Sequence, residues 1–128
     1  MPPDKRQTIV NKIKIKPLSV NEAYKTFCKK CKSGKNVVRV KTSSYKGFEK
    51  LLTLSLKPMK IESDIRLSVF IVFGFSSHGS DLDNCLKTFI DVCQKKFGFN
   101  DNRVFEYHLK KEIVKKGNEF IEFEITKL

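Results

Sequence analysis

The sequence predicts an α+β fold in which a small mixed β-sheet carries two main helices. Residues 66–75 are almost entirely apolar, which is typical of a central strand covered on both faces. Residues 44–57 and 82–97 repeat apolar side chains at steps of three and four, the spacing of a helix with one buried face. A chain of 128 residues is long enough for a core of its own, so we expect one domain, residues 1–128.

The first strand is predicted at residues 9–16, where isoleucines alternate with lysines until Pro17 ends the pattern. The preceding residues 1–8 have no periodicity and are expected to be flexible. Residues 26–35 are rich in lysine and predict a polar hairpin or loop that turns at residues 33–35.

A short strand at residues 37–41 is expected to pair back within this hairpin. The first helix, residues 44–57, follows Thr42 and two serines, which offer side-chain caps. Because proline has no N–H to continue a helix, Pro58 is expected to close it.

The second half of the chain begins with the central strand, a loop and the second helix. The loop after residues 66–75 delivers Asp81 at the carboxyl end of that strand, a common place for chemistry in mixed sheets. Either Ser80 or Asp81 is expected to be the N-cap of helix 82–97, and Ser80 with Asp83 resembles a capping box.

Two further strands, residues 104–114 and 119–127, are predicted to run antiparallel around a turn at residues 116–118. In that arrangement the outward acids of the second strand lie opposite lysines of the first. These pairs are Glu122 and Glu124 facing Lys110 and Lys115.

Charge is distributed unequally along the chain. Residues 1–60 carry 16 Lys and Arg against three acids, a net charge of +13, whereas residues 61–128 carry 10 against 11, a net charge of −1. A basic field of this size favours a polyanionic partner such as nucleic acid. A basic surface that serves only solubility is the alternative.

The cysteines predict reduced thiols. Cys28 and Cys31 form one C-x-x-C pair, half of what a zinc ribbon requires, so structural zinc, a redox pair and incidental loop cysteines are all open. Cys85 and Cys93 fall on the apolar face of the second helix and are expected in the core. With no apolar run long enough to span a bilayer and no signal-peptide pattern, we expect a soluble, intracellular protein.

Two carboxylates, Asp81 and Asp83, stand one residue apart at the start of the second helix. They repel one another unless a cation or proton lies between them, and oxygen ligands of this kind suit Mg²⁺ or Mn²⁺. Asp83, Lys87 and Asp91 recur every fourth residue and form one ridge of the helix, which puts Lys87 beside any metal held by Asp83. Helix capping with a solvated acidic face is the alternative for such a pair.

The longer pattern D-L-D-N-x-x-K-x-x-x-D, followed by an acidic turn and then valine, resembles the RusA family of Holliday junction resolvases. The matching residues are Asp81, Leu82, Asp83, Asn84, Lys87, Asp91, Asp101 and Val104. The chain departs from the family in two places. No arginine stands just before Asp81, and Asn100 replaces the first of two adjacent acids.

The resemblance covers most of the chain and implies a RusA-like fold and activity. The expected protein is a homodimeric endodeoxyribonuclease that cuts four-way DNA junctions by paired symmetric nicks. Its cofactor would be Mg²⁺, with Mn²⁺ as a substitute, and it would need no small-molecule cofactor and no membrane. Such a protein is expected in the cytoplasm or nucleoid, and a phage or prophage origin is compatible with it.

The resemblance also implies roles for individual residues. Asp81, Asp83 and Asp101 are expected to bind one or two Mg²⁺ ions, and Lys87 to contact the scissile phosphate. Asp91 is expected to orient Lys87, and Asn84 to support either group from behind.

Contacts to the DNA backbone are expected from the basic half of the chain. The segment Pro17-Leu18-Ser19-Val20-Asn21 looks like the P-x-S-x-N segment that the family places near its active site, so Asn21 is a candidate phosphate ligand. An Asx cap at a simple turn is the alternative. The lysines predicted to contact phosphates are Lys16, Lys29, Lys30, Lys32 and Lys35.

Two other functions are compatible with these residues. A non-catalytic nucleic-acid-binding module would use the lysine-rich hairpin and leave the acids as helix caps. A related metal-dependent nuclease would cut flaps or other branched DNA, since branch selectivity depends on surface shape and dimer geometry.

Overall fold

A mixed β-sheet with helices packed against it organises the described part of the chain. The structure is a computed structural model that describes residues 8–31, 34–62 and 64–128, with side chains described for residues 9–23, 41–62 and 64–128. The α+β class with two main helices is confirmed. In chain order the elements are β1 (Thr8–Ile13), α1 (Val20–Ala23), β2 (Tyr24–Cys31), β3 (Gly34–Lys41), α2 (Ser43–Ser55), β4 (Leu67–Phe75), α3 (Leu82–Phe97), a 3₁₀ turn (Asp101–Arg103), β5 (Val104–Ile113) and β6 (Phe120–Lys127).

The four strands of the main sheet within these residues lie in the order β1-β6-β4-β5. β4 is flanked by β6 on one side and by β5 on the other, which confirms its prediction as the central strand. β5 runs parallel to β4 because α3 forms the crossover between them, and β6 runs antiparallel to β4. β1 ends at Ile13, three residues before the predicted end, although Ile15 is still buried.

The predicted pairing of the last two strands is wrong. β5 and β6 do run in opposite directions, but β4 lies between them. Glu122 stands opposite Lys12 of β1, with 3.9 Å between Lys12 Nζ and Glu122 Oε2, and opposite Val72 of β4 rather than Lys110. The six residues between β5 and β6 are enough to pass the end of β4, so the turn does not force the two strands together.

The helices begin and end close to their predicted bounds. The Thr42 hydroxyl caps α2 by accepting the backbone N–H of Tyr45 at 3.2 Å. α3 ends at Gly98, whose φ of +74° is the left-handed conformation that glycine adopts without strain. Across the described residues, none of the helices is long and apolar enough to cross a membrane.

The short helix α1 was not predicted. It lies where a turn with Asn21 as an Asx cap was the alternative, and the capping side chain is Ser19 instead. The backbone N–H of Asn21 donates to Ser19 Oγ at 3.1 Å, and the N–H groups of Glu22 and Ala23 donate to the Ser19 carbonyl oxygen.

The core lies between the sheet and the two main helices. Ile71 and Phe73 project from one face of β4 and are fully buried. The Phe89 ring of α3 lies 6.2 Å from the Phe73 ring and 5.1 Å from the Phe123 ring, both edge-on. The opposite face of β4 is less covered than predicted, since Phe70 is 40% exposed.

β2 and β3 form a separate two-stranded hairpin, which confirms the predicted hairpin and makes its strands longer than expected. Cys28 lies opposite Val37 and Cys31 opposite Gly34 in its register. Of the predicted turn at residues 33–35, Ser33 lies outside the described residues, whereas Gly34 and Lys35 belong to β3 and not to a turn. Residues 1–7 of the expected flexible start also lie outside the described residues, whereas Thr8 belongs to β1.

Candidate active-site cleft

A cleft of about 430 Å³ opens at the carboxyl end of β4, where the loop of residues 76–80 leads into α3. Its wall brings together residues from three separate parts of the chain: residues 16–22, residues 75–85 and Glu119. Four of them were predicted from the sequence to act on DNA or metal: Lys16, Asn21, Asp81 and Asn84. Other polar groups in the wall are Ser19, Glu22, Ser76 and Glu119.

Two hydroxyl groups hold α1 against the larger helices and so place Asn21 and Glu22 in this wall. The buried hydroxyl of Thr88, on α3, donates to the Leu18 carbonyl oxygen at 2.6 Å. The hydroxyl of Thr42, the N-cap of α2, donates to the Glu22 carbonyl oxygen at 2.7 Å. The Thr88 hydroxyl also lies 3.0 Å from the Cys85 carbonyl oxygen of its own helix, and its shorter contact to Leu18 links the residues just before α1 to α3.

Asp81 is the N-cap of α3, with the extended backbone angles of a cap residue. Its side chain accepts no capping hydrogen bond from the helix backbone within the described chain. Because the N-cap is Asp81 and not Ser80, the capping box predicted for Ser80 and Asp83 is not formed. Instead, Asn84 Nδ2 donates to Asp81 Oδ2 at 3.4 Å. The Asp81 carboxylate is exposed and held by an amide side chain at the positive end of the helix.

The charges of three carboxylates act on the buried thiol of Cys85. The pKa of Cys85 is raised to about 11, first by burial and then by the negative charges of Glu22, Asp81 and Asp83. These acids therefore contribute to one negative field near the start of α3, in a chain whose net charge is +12. A negative field of this kind attracts cations.

Glu22 was missed by the sequence reasoning. It is one of three acids among residues 1–60, and it directly follows Asn21 in the segment that resembles the family's P-x-S-x-N. An isolated acid in a basic half of the chain was the available signal. Its position next to Asp81 depends on the contacts of α1 and could not be read from spacing.

Lys87 and Asp91 lie on the solvent side of α3, outside the described wall of the cleft. Lys87 Nζ is 3.3 Å from Asp91 Oδ1, so the expected contact between these residues is present. Gln94 Nε2 also donates to Asp91 Oδ1 at 3.3 Å. An exposed i,i+4 ion pair contributes about 0.3–0.5 kcal/mol, so this contact orients Lys87 more than it stabilises the helix.

Asp101 is not brought to the cleft within one chain. It lies in the 3₁₀ turn after α3, next to the start of β5, and Val104 pairs with Leu67 at the amino end of β4. The 16 residues of α3 span about 24 Å, and this rigid length separates Asp101 from Asp81. The neighbour of Asp101 is Tyr107, whose pKa rises to about 12 through burial first and then through the Asp101 charge.

Within the described residues, no group of three or more His, Cys, Asp and Glu side chains is arranged to hold a metal ion. The donor chemistry of the cleft nevertheless fits Mg²⁺. That ion uses one or two carboxylates and fills its remaining positions with water and phosphate oxygens. Asp81 and Asp83, with Glu22 nearby, supply oxygen donors of this type.

The far wall of the cleft contains an acid with a structural role. The pKa of Glu119 is lowered, first by a hydrogen bond from its own backbone N–H and then by those from the Gly117 N–H at 2.7 Å and the Ser76 hydroxyl at 3.1 Å. Lys16 adds a favourable charge. Each Glu119 oxygen therefore accepts a hydrogen bond from another part of this chain.

The remaining predicted DNA contacts lie on the hairpin. The backbones of Lys29 and Lys30 belong to β2 and that of Lys35 to β3, and their side chains lie outside what the structure describes. Lys32 lies outside the described residues altogether. Cys85 and Cys93 are buried free thiols, which confirms their predicted place in the core.

No protein-family model matches the chain, and no curated protein matches it either.

Proposed function

We propose that the protein is a metal-dependent endodeoxyribonuclease that acts on four-way DNA junctions inside the cell. The observation that carries this proposal is the composition of the cleft. It joins Asp81 and Asn84, from the start of α3, to Asn21 and Lys16, which are about 60 residues away in sequence, and Asp83 follows in the first turn of the same helix. Carboxylates to hold a metal and a cation to hold a phosphate are the two things that phosphodiester cleavage requires.

The hydrogen bonding of Asp81 favours a functional role for its carboxylate over helix capping. A carboxylate at an N-cap usually accepts helix N–H groups, and losing such a cap costs about 1 kcal/mol. Asp81 accepts none of them in the described chain and instead faces a polar cleft. In a non-catalytic binding module, an aspartate at this N-cap would be expected to accept the N–H groups of the helix.

The roles follow from where the side chains lie. Asp81 and Asp83 would hold Mg²⁺, and Glu22 is the third acid at this end of the molecule. Bound Mg²⁺ supplies a Lewis acid that lowers the pKa of water and stabilises charge on the scissile phosphate. Lys16 and Asn21 would bind the phosphodiester, and Asn84 would hold the Asp81 carboxylate through its 3.4 Å contact.

A homodimer belongs to this proposal. A four-way junction has two-fold symmetry, so two copies related by a two-fold axis can nick opposite strands. The basic half of each copy, with a net charge of +13, would neutralise the phosphates of the junction arms.

Cleavage of a labelled synthetic four-way junction, with Mg²⁺ and with EDTA, tests the proposal. We expect paired symmetric nicks that disappear with EDTA and in Asp83→Asn, while junction binding by the variant is retained or strengthened. The matched control is Asp64→Asn, because Asp64 is an exposed acid whose partner is Arg103, away from the cleft.

Each other outcome has a distinct meaning. Normal cleavage by Asp83→Asn would remove the metal assignment. A retarded junction without nicks, under Mg²⁺ and Mn²⁺ alike, would favour the non-catalytic binding module. Faster cutting of a flap than of the junction would favour the flap nuclease.

A further inference from the structure

Lys111 on β5 is bonded to the loop that presents Asp81. Its ammonium group donates to the carbonyl oxygen of His78 at 2.7 Å and to that of Ser80 at 2.6 Å. Both distances are at the short end for hydrogen bonds from a charged donor, which are about twice as strong as neutral ones. The loop of residues 76–80 is therefore held by a residue 31 positions further along the chain than Ser80.

The bond to Ser80 acts directly on the acid. The Ser80 carbonyl belongs to the peptide unit that joins Ser80 to Asp81, and this unit is planar. Fixing its oxygen therefore fixes the direction from which the chain enters Asp81, whose own backbone is extended before α3 begins. The side-chain contact from Asn84 then restrains the same residue from the helix side.

The position of Lys111 is unusual for a lysine. It pairs with Phe73 in the parallel register of β4 and β5, so its stem lies on the face of the sheet that is packed in the core. Its ammonium group is 5.8 Å from the centre of the Phe75 ring. A half-buried lysine is expensive to place beside apolar rings unless its donors are satisfied, and here the two loop carbonyls satisfy them.

A second contact holds the other end of the same loop. The Ser76 hydroxyl donates to Glu119 Oε2 at 3.1 Å. Segments that follow α3 thus restrain the loop at its first residue, near its middle and at its last residue. A connection between a strand and a helix that served only to join them would not need restraint at three points.

We propose that Lys111 is a positioning residue, which sets the direction of the Asp81 carboxylate for metal binding. The inference rests on the proposed metal-dependent function of the cleft. It adds to that function a residue of β5, the strand that follows α3. Lys111 touches neither metal nor DNA in this assignment and acts through the Ser80–Asp81 peptide.

Mn²⁺ binding by the free protein, followed by the electron paramagnetic resonance of unbound Mn²⁺, tests this inference without any cleavage assay. Lys111→Met keeps the apolar stem and removes the donors. We expect Mn²⁺ affinity to fall roughly tenfold, the size expected for losing charge-assisted hydrogen bonds, and hydrogen exchange of the loop amides to accelerate. Lys111→Arg should restore most of the affinity, because a guanidinium group can donate to both carbonyls.

Lys110→Met is the matched control. Lys110 is the neighbouring residue on β5, is exposed, and projects to the opposite face because side chains alternate along a strand. The Mn²⁺ affinity of the Lys110→Met variant should equal that of the wild type. If Lys111→Met does not fold, Lys111→Gln, which keeps one neutral donor group, should give an intermediate loss.

The outcomes separate this inference from the proposed function. Unchanged Mn²⁺ affinity in Lys111→Met, in a protein that still cleaves junctions with Mg²⁺, overturns the role of Lys111 alone. Equal losses in Lys111→Met and Lys111→Arg also overturn it, since a bonded cation would then not be the cause. A wild-type protein that neither binds Mn²⁺ nor cleaves overturns the proposed function and this inference together.

Discussion

The two ends of α3 differ in how their polar groups are used. At the carboxyl end the Gly98 N–H donates to the Gln94 carbonyl oxygen at 2.9 Å, the Phe97 carbonyl oxygen accepts the Ile61 N–H at 2.7 Å, and Lys95 pairs with Glu49 at 3.3 Å.

At the amino end, in contrast, Asp81 makes no capping bond within the described chain, and the charges of three acids act on one buried thiol. Like charges brought together without a partner reduce stability, and natural proteins accept this cost mainly at functional sites. The carboxyl end of α3 therefore contributes stability, whereas at the amino end of the described helix the Asp81 carboxylate makes no bond to the helix backbone.

Asp81→Asn should give the largest effect. We expect junction cleavage to fall by at least about 10³-fold, because a proposed metal ligand is lost. The midpoint of thermal unfolding should not fall, since the Asp81 side chain makes no capping bond within the described chain and the contact to Asn84 can persist. Cleavage and thermal melts of the same preparation measure both. A variant that is clearly less stable than the wild type would contradict the comparison.

Mixing two variants tests whether Asp101 acts from the other end of α3. If Asp101 is a ligand as the resemblance implies, the length of α3 requires that it comes from a second copy. Asp83→Asn and Asp101→Asn should then be inactive separately. A 1:1 mixture should recover roughly a quarter of the wild-type active sites, because each mixed dimer contains one intact site.

The same mixture distinguishes the alternatives. Full activity of Asp101→Asn would show that Asp101 is not needed. Two inactive variants that do not complement one another would place Asp101 in a role other than metal binding across the dimer. Wild type diluted with an equal amount of Asp83→Asn is the control for subunit exchange.

Glycine-to-alanine substitutions compare the end of α3 with the interior of α2. Gly98→Ala should destabilise the protein by about 1–2 kcal/mol, because a side chain is strained at a φ of +74° even though nothing lies within 4 Å of the added methyl group. Gly47→Ala should stabilise it by about 0.5–1 kcal/mol, since Gly47 is helical and equally unobstructed. Urea unfolding curves measure both. Changes of the same sign would contradict the assigned conformations.

The smallest expected effect is a pH dependence at the carboxyl end. Burial raises the pKa of Glu49, but hydrogen bonds and charges from Lys41 and Lys95 outweigh this and lower it below 4.5. Because the folded-state pKa is depressed, the stabilisation is present above about pH 4.5 and is lost as the pH falls through the lower folded value.

Glu49→Gln should therefore reduce the free energy of unfolding by less than about 1 kcal/mol at pH 7, and the difference from the wild type should shrink below pH 4.5. Unfolding curves from pH 3 to pH 7 measure it. Glu112→Gln, an exposed acid on β5, serves as the control. A difference that grows on acidification would have the wrong sign.

Local patterns in the sequence were sufficient for the helices, the hairpin and the identity of the central strand. The bounds of α3 match the predicted residues 82–97, because its apolar spacing, its polar start and Gly98 all act within a few residues of each other. The hairpin is equally local, although Gly34, which was predicted to lie in its turn, pairs with Cys31 instead. The association of Asp81 with Asn84 is local for the same reason, since the two residues are one helical turn apart.

Tertiary structure alone decided the strand order and the membership of the cleft. β4 lies between β5 and β6 because one of its edges pairs with each of them. The residues between positions 113 and 120 contain no sequence pattern that predicts this order. Glu22 and Lys111 reach the start of α3 through contacts across the fold, including the 2.6 Å bond from Lys111 to Ser80. Asp81 and Asp101 belong to one sequence motif, but the rigid 16-residue helix between them holds them apart in space.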